Sequence, residues 1–149
     1  MKKRPKILNN NAVYSGISQR VGYGDLTFTA GVALTDPTAK WIGWKWTNGG
    51  AVQLMVHNGT TLTILSSGYT PPTSGGYTQR ITISNDGAGN VSISIDDLTA
   101  NTTTTATTAL GPTGIGATSA FNYSNQVASS TTHTGNLNAY GSYPTFYFD

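Results

Sequence analysis

The residues of this chain that could do chemistry are few and far apart. Cysteine is absent, and the two histidines are His57 and His133. A catalytic triad needs a histidine beside a nucleophile, and no nucleophile-elbow motif occurs in the chain. Zinc needs three or four ligands, which two distant histidines without cysteine do not supply. We therefore expect both histidines to be solvated or bonded within turns.

Carboxylates are also sparse, with six aspartates and no glutamate. Asp96 and Asp97 are adjacent, so in a strand their side chains would point to opposite faces and could not flank one glycosidic bond. Asp86, Asn85 and Asn90 share one turn, whose oxygens could hold a weakly bound Ca²⁺. The alternative is an ordinary turn stabilised by these side chains. The sequence thus predicts a protein that is not an enzyme, with no catalytic residue, no metal and no cofactor.

Aromatic side chains are the remaining candidates for a binding site. In one predicted strand, Trp41 lies on the face opposite Trp44 and Trp46. An exposed tryptophan suits stacking on a sugar or packing against another protein, and the alternative places all three tryptophans in the core. The predicted contacts to a glycan or a protein are Trp41, Asn48, His57, Tyr140, Tyr143 and Tyr147.

Charge is scarce and is concentrated at the start of the chain. Only 9% of the residues are charged, against roughly 25% in an average globular protein. Residues 1–6 form a basic arm that carries Lys2, Lys3, Arg4 and Lys6. The simpler interpretation of this arm is a disordered, solubilising tail. The alternative is an anchor that holds the protein to a particle through an acidic protein surface or nucleic acid. Four cations are too few to indicate nucleic-acid binding.

The elements that would position these residues are strands. Thr, Ser, Asn and Gly dominate, and no periodic block of helix-forming residues occurs. The stretch Lys40–Leu65 alternates in polarity around two glycine turns. This predicts three antiparallel strands over Trp41–Trp46, Ala51–His57 and Thr60–Leu65. The alternation puts His57 on the solvent side of its strand.

A second hairpin is predicted further along the chain. Tyr77–Asn85 and Val91–Ile95 alternate around the turn Asp86–Asn90, with isoleucines inward and serines outward. The threonine-rich segment Thr99–Leu110 suits an exposed or edge strand. Other strands are predicted at Ala12–Ile17, Leu26–Leu34, Ala117–Ala128 and the aromatic C-terminus, with a turn at Gly22–Asp25. The sum is an all-β, two-sheet antiparallel sandwich of roughly nine to eleven strands, one domain over residues 7–149.

Four segments of the chain carry a family resemblance. They are Ile42-Gly43-Trp44, His57-Asn58-Gly59-Thr60, Arg80-Ile81-Thr82-Ile83 and Val91–Asp97. Together they resemble the concanavalin A-like jelly roll, the lectin and glucanase type of sandwich, in the form found in bacteriophage structural proteins. The match covers about residues 26–97, and it implies a jelly-roll topology. It does not select a function, because this sandwich serves lectins, hydrolases and structural modules.

Two functions fit these observations. The first is a non-enzymatic structural protein of a virus particle, such as a capsid decoration protein or a head or tail appendage. Its partners would be copies of itself, as a trimer by analogy, and capsid or tail proteins. It would assemble in the host cytoplasm and lie exposed on the virion. The alternative is a glycan-binding, lectin-like adhesion module.

Membrane contact and secretion are not expected. No apolar run approaches the roughly 20 residues that cross a bilayer. The basic start is not followed by an apolar segment, so it does not resemble a secretory signal. An extracellular destination would then require release by lysis or another route without a signal.

Overall fold

The computed structural model describes residues 17–24, 36–73, 79–114 and 122–129, and its regular elements are β-strands. The strands are β1 (Ile17–Gly24), β2 (Trp41–Thr47), β3 (Gln53–His57), β4 (Leu62–Ser66), β5 (Gln79–Asn85), β6 (Val91–Asp97), β7 (Thr102–Thr108) and β8 (Asn122–Ser129). All pairings between them are antiparallel. The all-β class is confirmed. The strands predicted at Leu26–Leu34 and at the C-terminus lie outside the described residues.

The larger sheet has five strands in the order β4–β3–β2–β1–β8. Its centre is the predicted meander, in which Trp44 pairs with Leu54 and Leu54 with Leu65. The turn predicted at Gly22–Asp25 is wrong for its first three residues, which belong to β1. Gly22 pairs there with Gly43. The glycines are needed because the strands and a tryptophan approach too closely for a Cβ atom.

Both glycine turns of the meander are present. Gly49 has a φ of +89° and Gly59 a φ of +104°, conformations that glycine adopts without strain. In the first turn, the Gly50 N–H donates to the Thr47 carbonyl oxygen at 2.9 Å. In the second, Asn58 Oδ1 accepts from the N–H groups of the two following threonines. The predicted turn residues therefore act as their types suggest.

The smaller sheet has three strands in the order β5–β6–β7. Ile83 pairs with Ile93, and Ile93 pairs with Ala106. Among the described strands, the threonine-rich β7 lies at an edge of this sheet, one of the two positions predicted for it. Strand β6 continues through Asp97 rather than ending at Ile95, because Asp97 is buried and fully engaged in hydrogen bonds.

One hydrophobic cluster joins the two sheets. The larger sheet and its adjoining loops contribute Ile42, Trp44, Trp46, Val52, Leu54, Val56 and Tyr69, and the smaller sheet contributes Val91, Ile93 and Ile95. Tyr23, Ile81 and Ile83 pack at its margin. Burial raises the pKa of Tyr23, and a hydrogen bond with the Asn85 side chain partly offsets that effect. The arrangement is sandwich-like, with the aromatic residues of β2 at its centre.

Chain order explains most of the strand order. Strands β2 to β4 and β5 to β7 are meanders, and only β8 returns from far along the chain to lie beside β1. A jelly roll contains two Greek keys, each made of four successive strands. The described residues therefore show two antiparallel sheets without showing a jelly roll. Among these residues, no helix is long and apolar enough to cross a membrane.

Candidate functional site

The outer face of the smaller sheet is a regular array of short hydroxyl side chains, which we call the hydroxyl face. Its members are Thr82 and Ser84 on β5, Ser92 and Ser94 on β6, and Thr105 and Thr107 on β7. They alternate with the inward isoleucines, and those on the two outer strands are exposed. The pairing aligns them in rows across the three strands. The result is an open sheet surface without a charged side chain in its centre.

The two rows of the hydroxyl face differ in their hydrogen bonds. In one row, Ser84 Oγ and Ser92 Oγ are 2.6 Å apart and bond to each other. In the other, the described residues offer no side-chain hydrogen bond to Thr82, Ser94 or Thr105. Neighbouring strands lie about 4.8 Å apart, and alternate residues along a strand lie about 6.7 Å apart. The face therefore presents hydroxyl groups at a fixed spacing, ready to bond an external partner.

A charged row closes one end of this face. Arg80 Nε and one terminal guanidinium nitrogen each lie 2.8 Å from Asp96 Oδ2. Thr103 Oγ1 donates to the other carboxylate oxygen at 2.8 Å. The bond from Thr103, and then the bond and charge of Arg80, lower the pKa of Asp96. Because both charges are paired with each other, the face as a whole stays nearly neutral.

Beneath this row lies a buried polar network that ties the sheets together. The Tyr69 hydroxyl donates to Asp97 Oδ2 at 2.8 Å, and Gln79 Nε2 donates to that hydroxyl. Asp97 Oδ1 accepts from the N–H groups of Thr99 and Ala100, both at 2.9 Å. Burial alone would raise the pKa of Asp97, but these bonds outweigh it, and the pKa lies below its ordinary value. The Asp97 carboxylate thus stabilises the turn after β6 and the loop that carries Tyr69.

The two adjacent acids behave as predicted. Asp96 bonds at the outer face, whereas Asp97 is buried on the core side. Their carboxylates therefore serve different surfaces and do not form a pair around one substrate. The sequence does not predict the Asp97 network. Its one signal is an aspartate at the inward position of a strand that otherwise places Val91, Ile93 and Ile95 there.

The second face of the larger sheet, opposite the core, is also buried along β2 and β3. Trp41 and Met55 have no exposed surface, and His57 is 6% exposed. The prediction that His57 lies on the solvent side is therefore wrong. The structure brings Trp41 and His57 together as directly paired residues. Asn48 is half-buried in the turn at the far end of β2.

His57 is bonded within a turn, one of the two environments predicted for it. Its Nδ1 accepts a hydrogen bond from the Gly59 N–H at 3.0 Å. This bond holds the turn between β3 and β4. Because the ring is also buried, His57 has a structural part in this turn and offers little surface to a ligand.

Trp41 is enclosed by a specific set of neighbours. A Cβ atom on Gly22 would lie 2.6 Å from its Cζ2, and one on Gly43 would lie 3.0 Å from its Nε1. Arg20 is 3% exposed, and its Cζ is 5.7 Å from the indole centroid, a cation–π distance. Burial lowers the pKa of Arg20, and the charge of Asp36 partly offsets this. Trp41 is packed from both sides and gives no flat exposed platform for a sugar.

The oxygen-rich turn between β5 and β6 is an ordinary turn. Asp86 Oδ1 accepts from the N–H groups of Ala88 and Asn90, at 2.8 and 3.0 Å, and Oδ2 accepts from Asn90 Nδ2. Asn85 Oδ1 accepts from the Gly87 N–H at 3.0 Å. The hydrogen bond from Asn90 contributes most to lowering the pKa of Asp86. These oxygens are engaged by the turn, which favours the turn interpretation over a Ca²⁺ site.

Other predicted site residues lie outside the described residues. They are Tyr140, Tyr143 and Tyr147, the arm residues Lys2, Lys3, Arg4 and Lys6, and also His133. Their proposed contacts stay predictions. Among the residues that the structure describes, no group of three or more histidines and acids is placed to hold a metal ion.

Comparison of the chain with protein-family models, with curated proteins and with solved structures gave no match. The likeness to the concanavalin A-like sandwich therefore stays a prediction from its sequence motifs.

Proposed function

We propose that this chain is a non-enzymatic structural subunit of a virus particle, built as a small jelly-roll sandwich and exposed on the particle surface. The observation that supports it best is the hydroxyl face. This face is open, ordered by strand pairing and nearly neutral. Such a surface suits repeated contact with protein rather than turnover of a substrate.

The physical case rests on the low cost of covering this face. Serine and threonine side chains are short, so fixing them in a contact loses little rotamer entropy. Covering Thr82, Ser94 and Thr105 removes no charge from water, and their hydroxyls can bond donors and acceptors of a neighbouring protein. The one ion pair stays at the end of the face, where it can remain in contact with water.

A glycan-binding module is the second candidate. The hydroxyls of Thr82, Ser94 and Thr105, which have no side-chain hydrogen bond among the described residues, favour it because sugars are recognised largely through hydrogen bonds. The burial of aromatic side chains counts against it. Among residues 18–24, 36–73 and 79–114, no tryptophan or tyrosine is exposed. The hydroxyl face therefore lacks the stacking platform that Trp41 was predicted to supply.

The decisive experiment follows the protein on particles. Density-gradient fractions of virus particles from the source culture would be analysed by quantitative mass spectrometry. We expect peptides of this chain to appear at a fixed ratio to the main shell protein. Recovery of the protein only in the soluble fractions would contradict the proposal.

The contact surface can be tested on the same particles. The variant Thr82→Lys/Ser94→Lys/Thr105→Lys places three charges on the hydroxyl face and is expected to lower occupancy at least tenfold. The matched control, Thr60→Lys/Thr61→Lys/Thr70→Lys, changes exposed threonines elsewhere and should bind as the wild type does. Equal occupancy of the two variants would exclude the hydroxyl face as the contact. Fluorescence or array binding to a glycan panel, lost in the first variant alone, would support the second candidate instead.

The basic arm requires its own variant. A chain lacking residues 1–6 should attach to particles more weakly if the arm is an anchor, because the arm holds half of the chain's eight cations. Full occupancy by the shortened chain would show that the arm does not anchor it.

A further inference from the structure

Among the described strands, β7 lies at an edge of its sheet and lacks the usual protection of such edges. It pairs with β6 in an unbroken register from Thr102 to Thr108, and no described strand lies on its other side. Natural edge strands are commonly protected by a charged residue, a proline or a bulge. The sequence of β7 is threonine and one alanine, so it has none of these. Its outward main-chain groups are thus suited to pairing with another strand.

Thr104, in the middle of β7, has a hydroxyl in need of a partner. Its Oγ1 is buried and has no hydrogen bond among the described residues. Buried hydroxyl groups are normally bonded. In an antiparallel pair, residues directly opposite each other have Cβ atoms about 5 Å apart, and paired threonines bond through their hydroxyls. A second β7 centred on the same residue would place the two Thr104 residues directly opposite each other. A rotation about χ1 would then bring the two hydroxyls within bonding reach.

The exposed apolar residues are arranged about the same point. In the part of the chain whose burial is described, the large hydrophobic side chains that are exposed are Leu98, at 40%, and Leu110, at 55%. Thr104 lies midway between them in the sequence. Leu98 lies in the turn that joins β6 to β7, and Leu110 lies two residues beyond the end of β7. The exposed apolar side chains of this region are therefore found near the two ends of the open edge.

We propose that β7 pairs with β7 of a second copy of this chain, antiparallel and centred on Thr104. The two smaller sheets would form one six-stranded sheet, and their hydroxyl faces would become one continuous surface. A contact in which the same surface is used by both copies gives a closed dimer. The trimer expected by analogy would need a different contact. The pairing does not depend on the virus-particle proposal. That proposal is tested separately, by the presence of this chain in density-gradient fractions of virus particles.

The first test is the molar mass of the full chain, measured by size-exclusion chromatography with light scattering from about 1 µM to about 1 mM. The wild type should reach twice the 15.6 kDa chain mass. The variant Thr103→Lys/Thr105→Lys sets like charges opposite each other across the proposed pair and should remain a monomer. The matched control, Thr82→Lys/Ser84→Lys, carries the same charges on the same face but on the other edge strand, and should still dimerise.

Two results would contradict the pairing of β7 with β7. One is a wild type that is monomeric at every protein concentration, and the other is a Thr103→Lys/Thr105→Lys variant that still dimerises. Loss of the dimer in both variants would assign the contact to the hydroxyl face instead of the strand edge. Thermal unfolding of all three proteins checks that the charges have not unfolded the domain.

The second test reads the register directly and is simplified by the absence of cysteine in the chain. Thr102→Cys and Ala106→Cys, both within β7, are prepared separately and oxidised alone or mixed. The proposed register predicts a disulfide-linked dimer only in the mixture, because Thr102 of one copy lies opposite Ala106 of the other. Equal crosslinking of either variant with itself, or none in the mixture, overturns the register centred on Thr104.

Discussion

The two sheets use their faces differently. In the smaller sheet, burial alternates along β6, with Ile93 buried and Ser94 partly open to water. In the larger sheet, neighbouring residues of β3 are both fully buried, Leu54 against the core and Met55 on the second face. The smaller sheet therefore has one face towards solvent, whereas the middle of the larger sheet is buried on both faces. An exposed binding surface is more readily found on the smaller sheet.

A charge placed on each sheet tests this difference most severely. Met55→Lys places an ammonium group at a position with no exposed surface, and we expect a loss of at least about 4 kcal/mol in the free energy of unfolding. Ser94→Lys, on the open face, should change it by no more than about 0.5 kcal/mol. Urea unfolding of both variants measures the difference between their free energies of unfolding. Similar small losses would mean that the second face of the larger sheet is open in solution.

The paired glycines test how tightly that second face is packed. A methyl group on Gly43 would lie 2.7 Å from Gly22 Cα and 3.0 Å from Trp41 Nε1. We expect Gly43→Ala to cost about 3 kcal/mol, because strands and indole must separate. The control is Gly49→Ala, which has free space but a positive φ and should cost about 1 kcal/mol. Equal denaturant midpoints for Gly43→Ala and Gly49→Ala would show that the paired strands separate at little cost.

The buried acid gives the smaller sheet a pH-dependent stability. Because the folded-state pKa of Asp97 is lowered, its stabilising effect is present above the unfolded value of about 3.9 and is lost as the pH falls through the folded value. Asp97→Asn should cost about 1 to 2 kcal/mol at pH 7. The difference from the wild type should narrow below about pH 4. Urea titrations at pH 7, 5, 4 and 3 check this, and a difference that is unchanged at pH 3 would contradict it.

The exposed ion pair should have the smallest effect. Arg80 is 57% exposed, so Arg80→Ala should cost no more than about 1 kcal/mol. The cost should shrink in 1 M salt, which screens exposed charges. A salt-independent loss above that size would show that the row formed by Arg80, Asp96 and Thr103 is part of the structural framework.

The sequence predicted the sheets well where one face is open. Alternation located β5, β6 and the meander, and the residues Asn, Asp and Gly located their turns. It also placed Ile93 and Ser94 on the correct sides, since polar and apolar residues alternate there. These features depend on neighbours in the chain, which a sequence displays directly.

Prediction was poorer where distant segments meet. The position of His57 at a polar turn suggested contact with solvent, but the second face of β3 is covered. Gly22 suggested a turn, although its lack of a side chain serves a tryptophan from another strand. The link between Tyr69 and Asp97 has one local signal, the aspartate at an inward position of β6, and nothing in the sequence pairs that aspartate with Tyr69. The residue type of Trp41 predicts a contact with a ligand, and only its three-dimensional neighbours reveal that it is enclosed.

The pairing of β1 with β8 affects the order in which the larger sheet can form during synthesis. Val21 lies beside Asn125, so the two halves of this ladder are separated by most of the chain. During synthesis from the N-terminus, β1 can pair with β2 long before β8 has left the ribosome. Bringing such distant segments together also costs entropy that grows with the length between them. The nascent larger sheet is therefore one strand short until residues 122–129 are made, with the backbone edge of β1 open to the crowded interior of the cell.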